Sequence, residues 1–283
     1  MISAAVRPRG PFSLRLSARL AGNATRTRAG GPLLAALAAG GLGRAWQQPD
    51  GSVQLRAPDE RAVEELRFVL ALDDDHSEFL VRFRDDPLLR RALPQLRGFR
   101  PLRLSTVTHA LLRAVCGQLI TASRARAIER NVIRAATPQL PGTYLHAPPT
   151  PATFARFAPA ELRRLGLGAR RAATLVRLCR SFDLERLRSQ PTSAAADRLE
   201  RERGLGPWSV GLVCLEGLGR YERGLVGDLG LVKLCAALRR RRVEPWETAE
   251  LLEPYGEWAG LAGVYLLTAW RLGLVPLPEP KAA

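Results

Sequence analysis

The chain has 283 residues, 46% hydrophobic and 25% charged, and its bases exceed its acids by 43 to 27, a formal net charge of +16. That length suits one large domain or two to three small ones, each with its own core. No apolar run reaches the roughly 18 uncharged residues that span a bilayer, and the excess of positive charge points to a polyanionic partner such as nucleic acid. Arginine supplies nearly all of it, since the only lysines are Lys233 and Lys281. GC-rich codon usage accounts for arginine over lysine, but not for the excess of bases over acids.

Most strand-like patterns lie in the first hundred residues. The N-terminal stretch is Arg- and Ser-rich and free of acids, as targeting peptides are, yet "PFSLRLSARL" alternates apolar and polar residues and is read as a basic first strand. "PLLAALAAGGLGRAW" suits either a further strand or a short helix, and "SVQLRA" is a strand, with turns at "GG" and "QPDG". "DERAVEELRFVLAL" has helical spacing and an acidic first turn, and "DDDHSEFLVRFRDDPLLRRALPQLRG" continues as short helices. From Pro101 the apolar residues recur at three- and four-residue spacing through helix after helix, ending in "EWAGLAGVYLLTAWRLG". The expected class is therefore α+β, with a mixed α/β domain over residues 1–100 and a mostly α-helical domain over 101–283.

Cys116, Cys179, Cys214 and Cys235 are far apart, and each sits in a helical apolar pattern. No C-x-x-C occurs, which argues against a zinc site or an iron–sulfur cluster and for buried free thiols in a reducing cytoplasm.

Residues 197–215 carry the most informative motif, within "LERERGLGPWSVGLVCL". A helix, then Gly204-Leu205-Gly206, then a second helix opening on Pro207 and passing through Trp208 and Ser209, makes a tight hairpin. The free N–H groups at the start of the second helix bind a phosphate without reading a base. An ordinary αα turn has the same pattern. About twenty residues on, "RGLVGDLGLVKLC" sets one acid, Asp228, among apolar and glycine residues. Asp228 is either the N-cap of the helix after it or a catalytic carboxylate in an apolar pocket. Trp208 and Trp258 are either core residues or aromatic walls of a base pocket.

The motifs "GLGPWS", "VGDLGL" and the upstream "LLRAVCGQLIT" occur in an order that resembles the helix-hairpin-helix DNA glycosylases, in particular the bacterial 3-methyladenine DNA glycosylase II branch. The resemblance covers most of the chain and is strongest from Arg97 to Trp258. It implies that Asp228 is the essential aspartate, that Gln118 and Leu119 form the wedge filling the gap left by a flipped nucleotide, and that Trp208 and Trp258 line the base pocket. Leu212 and Leu229 stand in that pocket where relatives carry aromatic residues. The carbonyls of Glu200, Glu202 and Leu205 would hold a monovalent cation, Na+ or K+, at the hairpin, with no other cofactor. Bifunctional relatives carry a lysine where this chain has Trp208, so a monofunctional enzyme is expected.

The resulting expectation is a monomeric, cytoplasmic, nucleoid-associated enzyme that acts on double-stranded DNA with a damaged base. It would flip out an alkylated purine such as 3-methyladenine and hydrolyse its glycosidic bond. A non-catalytic DNA-binding or damage-sensing protein of the same architecture is the alternative.

Overall fold

The computed structural model describes residues 1–277 apart from Leu20 and Ala29. Strands β1 (Ile2–Val6), β2 (Arg26–Thr27), β3 (Leu33–Ala36), β4 (Leu42–Gln47) and β5 (Val53–Ala57) form an antiparallel sheet in the order β1-β5-β4-β3-β2. The register pairs Val6 with Val53, Gln47 with Val53, Leu33 with Ala45 and Arg26 with Ala35. The "PLLAALAAGGLGRAW" stretch resolves into β3 and β4, and "SVQLRA" is β5 as its alternation requires: Val53, Leu55 and Ala57 are buried. Helix α2 (Glu60–Val69), capped by Asp59, covers the same face with Ala62, Val63 and Leu66.

"PFSLRLSARL" is not a strand. Residues Leu14–Ser17 form a short helix, α1, and the first strand is the preceding "ISAAV". Leu14, Ser17 and Ala18 also fit helical spacing, and capping decides between the two periods. The Ser13 hydroxyl accepts the Leu16 N–H, and the Gln47 amide oxygen of β4 accepts the Leu14 N–H.

The helical part comprises α3 (Ser77–Arg82), α4 (Val107–Gly117), α5 (Ala122–Ala136), α6 (Pro151–Ala155), α7 (Pro159–Arg164), α8 (Ala169–Ser181), α9 (Thr192–Glu200), α10 (Pro207–Leu212), α11 (Leu229–Arg239), α12 (Thr248–Leu252) and α13 (Ala259–Arg271). Helix α10 continues without a break as a wider π-helical segment, Val213–Leu218, that ends at left-handed Gly219. Helices α4, α10 and α13 contribute the centre of the main core, and all four cysteines are buried and unpaired. Phe79, Phe83, Leu89 and Leu96 pack into this core, while the sheet's own core takes residues from Leu14 to Leu72 together with Leu102. Among the described residues no helix is long and apolar enough to cross a membrane.

Arg100 fastens the chain ahead of α4 to the N-terminal part. It is fully buried, and its guanidinium donates to the carbonyls of Arg9, Pro11 and Ala71 while lying over the Phe12 ring. Its own N–H donates to Ser17 Oγ at 2.9 Å. Replacing the side chain leaves three carbonyls short of a donor. Arg100→Ala is therefore expected to lower unfolding stability by about 3 kcal/mol or more, read from the urea midpoint at unchanged m-value.

Candidate active site

Helix α9, a turn, and α10 make the hairpin expected at residues 197–215. Gly204 takes φ +96°, Gly206 is the N-cap, and Pro207 is the first helical residue, where its missing N–H costs nothing. Arg177 braces the turn from α8, donating to the Arg203 carbonyl at 2.9 Å and pairing with Glu202. Gly206 has no side chain to cap the helix, so the amides at its start remain available to an anion.

After Gly219 the chain passes back across α10. A Cβ on Gly211 would lie 2.3 Å from the Gly224 carbonyl oxygen, so only glycine permits this crossing. The crossing delivers Asp228 to the side of Trp208. Asp228 is the N-cap of α11: Oδ1 accepts the N–H groups of Gly230 (2.8 Å) and Leu231 (3.3 Å). Its other oxygen, Oδ2, accepts the Trp208 indole N–H at 3.0 Å. All three partners are N–H donors. The cap and the pocket, which are alternatives in the sequence, are two ends of one side chain.

Asp228 opens onto a cleft of about 1050 Å³. Trp208, Leu212, Leu229, Gly204, Gly206, Ser209, Gln118 and Leu119 all line it. Leu119 stands at its edge with 87% of its surface exposed and a left-handed backbone, φ +55°, which is strained for leucine. Gln118 anchors that turn to the hairpin, donating to the Gly204 carbonyl (2.8 Å) and Ser209 Oγ (3.2 Å), while Arg171 donates to its carbonyl. The carbonyl of Glu202 accepts the Leu205 N–H within the hairpin turn. Leu205 is buried, and Glu200 ends α9 on the exposed side.

Trp258 is the exception among the expected pocket residues, and the assignment is corrected. It does not line the cleft. Its ring stacks on Tyr221 at 6.1 Å and packs against His76 and Phe79, making it a core aromatic. The pocket wall on α13 is built about two turns further on, by Val264 and Leu267. A tryptophan in an amphipathic helix stands out in a sequence, whereas small apolar residues on the correct face do not.

Three comparisons bear on this arrangement. A scan against known protein-family profiles finds no match. The chain is 26% identical over 210 residues to the DNA-3-methyladenine glycosylase of Bacillus subtilis, covering 71% of this chain and 68% of that protein. The fold is similar to the 3-methyladenine DNA glycosylase of Archaeoglobus fulgidus, with a TM-score of 0.81 and 20% identity over 95% of this chain and 98% of that one. It is also similar to the 8-oxoguanine glycosylase/lyase of Clostridium acetobutylicum bound to double-stranded DNA, with a TM-score of 0.79 and 18% identity over 97% and 99% of the two chains. The chain has the helix-hairpin-helix DNA glycosylase fold.

Several groups in this cleft carry no sequence motif. Arg26 comes from β2, Arg113 from α4, Glu129 from α5 and Glu216 from the π-helical end of α10, and together they line its inner end. Trp246 and Lys233 stand nearer the surface, both exposed. The one available signal was spacing: Arg113 precedes Gly117 by four residues, and Glu216 follows Leu212 by four, so each shares a helix face with a recognised site residue.

Two predictions follow from the packing. A Cβ on Gly117 would lie 2.5 Å from Trp208 Cη2, so Gly117→Ala is expected to push the indole off Asp228, visible as a shift in tryptophan emission without loss of fold by circular dichroism. His76 is buried beside Trp258, and burial, then the charge of Arg100, lowers its pKa to about 4. The unfolded chain takes up that proton first, near pH 6.5. The stability is whole above pH 6.5 and is lost as pH falls through about 4, by up to about 3 kcal/mol. His76→Leu should flatten this part of the pH–stability curve measured by thermal melting.

Proposed function

We propose that the chain is a monofunctional DNA glycosylase that hydrolyses the N-glycosidic bond of alkylated purines such as 3-methyladenine. The observation that carries this reading is the placement of Asp228. Its carboxylate is fixed by three N–H donors in a cleft large enough for a nucleotide, which the start of the hairpin's second helix and the exposed Leu119 also line. The relatives named above as 3-methyladenine glycosylases support the substrate class.

In this mechanism the hairpin amides grip a backbone phosphate and the basic surface supplies sequence-independent affinity. The damaged nucleotide turns out of the duplex into the cleft, and Leu119 takes its place in the stack. The C1′–N bond then breaks, its electron pair leaving with the base. A cationic base departs neutral and needs no strong acid. Asp228 stabilises the cation-like sugar until water adds to C1′ and gives up a proton. Trp208 occupies the place of the lysine that bifunctional relatives use, so strand cleavage through an imine is not part of the proposal. The carbonyls of Glu200, Glu202 and Leu205 are the proposed seat of a monovalent cation beside the gripped phosphate. The enzyme is further proposed to act as a monomer in the cytoplasm, at the nucleoid.

A second reading, excision of 8-oxoguanine, is favoured by the comparable likeness to the Clostridium enzyme. A panel of duplexes carrying methylated, oxidised and deaminated bases separates the two. Asp228→Asn is expected to abolish base release while leaving duplex affinity within about twofold, since the amide keeps the cap and loses the charge. No release from any lesion by the wild type would leave the DNA-binding, non-catalytic reading in its place. Leu119→Ala should lower release from fully paired duplex about tenfold, and much less from an unpaired lesion, where little stacking has to be replaced.

A further inference from the structure

The inner end of the cleft is charged, whereas its walls are largely apolar: Leu212, Leu215, Val264 and Leu267 line it together with Trp208. A hydrogen-bond inventory shows which polar atoms there are already committed. The Glu129 carboxylate is 2% exposed and accepts from His109 Nε2 (2.7 Å) and from Arg113 through Nε and Nη2. Burial acts to raise the Glu129 carboxyl, but the Arg113 charge and the His109 hydrogen bond outweigh it and hold it below the usual carboxylate range. Arg113 donates from its third nitrogen, Nη1, to Glu216 Oε2. Glu216 is therefore anchored through one oxygen, while Oε1 has no hydrogen-bond partner among the described residues. The side chain is 20% exposed, and the cleft is what it is exposed to.

A carboxylate oxygen with unspent lone pairs in an apolar cleft is stabilised by a ligand that brings N–H donors and positive charge. It disfavours a carbonyl edge, because it has no proton to offer. Its position suits a base: Trp208, Leu212 and Glu216 follow at four-residue steps along α10 and its π-helical end, so Glu216 lies about two turns, roughly 11 Å, from the residue that touches Asp228. That span accommodates a purine between the reacting sugar and the carboxylate.

We propose that Glu216, held by Arg113, is a specificity-determining residue that accepts a hydrogen bond from the amine edge of a flipped, cationic purine. The inference rests on the glycosylase reading and narrows it. The substrates are positively charged alkylated purines with an N–H edge, in preference to neutral lesions that present a carbonyl there, such as hypoxanthine. One carboxylate then supplies the attraction that several aromatic walls would supply by cation–π contact.

Glu216→Gln separates this role from simple support of Arg113, because the amide oxygen still accepts from Nη1 while the amide nitrogen turns a donor toward the base. Single-turnover release from 3-methyladenine and hypoxanthine duplexes is compared in wild type and variant. The wild type is expected to favour 3-methyladenine, and the ratio of the two rates should fall by about tenfold or more in the variant, with an unchanged melting temperature. An unchanged ratio overturns the inference. A binding measurement decides the matter without turnover: quenching of tryptophan fluorescence by 1-methyladenosine, a cationic nucleoside with an amine edge, against inosine. Wild-type preference for the cation that is lost in Glu216→Gln supports the role, and equal preference in both proteins overturns it. A wild type that releases no base from either duplex overturns the glycosylase reading alone, since the nucleoside comparison still tests Glu216.

Discussion

The site depends on one contact, the indole N–H of Trp208 held against Oδ2 of Asp228. The two residues sit on different helices twenty positions apart, and the intervening chain must turn back across α10 at van der Waals distance. Gly211 permits that crossing by leaving room for the Gly224 carbonyl, and Gly117 permits the outer edge of the indole to lie against α4. With the ring clamped, the carboxylate has one orientation: one oxygen caps α11 and the other faces the indole and the cleft. A catalytic anion gains most from being fixed before the charge it stabilises appears, because no reorganisation is then needed during the reaction.

A second constraint acts deeper in the cleft. Arg26, Arg113, Glu129 and Glu216 come from four elements far apart in the chain, and their formal charges cancel. Arg113 pairs with both Glu129 and Glu216, while Arg26 donates to the Ala21 and Arg103 carbonyls. Burying these charges costs desolvation that mutual attraction only partly returns, so apolar residues of similar volume would hold the helices together at least as well. What the ions add is direction. The network commits every oxygen of Glu129 and each nitrogen of Arg113, and leaves a single acceptor at the end of a largely apolar cavity. The surface, by contrast, carries a large excess of arginine, so nonspecific attraction for a polyanion and the neutral, directional chemistry of the interior are spatially separate.

Much of the fold was legible in the linear pattern. Alternation marked β5, Asp59 and the acidic first turn marked α2, and the Gly-Leu-Gly-Pro run marked the hairpin with its N-cap on the second glycine. The failures share a cause. "PFSLRLSARL" fits both a period of two and a helical turn, and a hydrogen bond from Leu14 to Gln47, 33 residues away, belongs to the helical solution. Trp258 matched the expectation for a pocket aromatic, yet His76 and Tyr221 draw it into the core. Neither partner adjoins it in sequence.

By itself the sequence determined the elements and their local chemistry: where helices start, which loop offers free amides, and that Asp228 caps a helix. These follow from hydrogen bonds and backbone preferences that act within a few residues. The tertiary structure decided what those elements face. Whether a tryptophan stacks in the core or lines a cleft, which small side chains build the wall, and that Glu216 keeps one oxygen free beside Arg113 all depend on contacts between residues far apart in the chain. Such contacts are selected by packing and by the pairing of buried charges, and neither leaves a periodic trace along the chain.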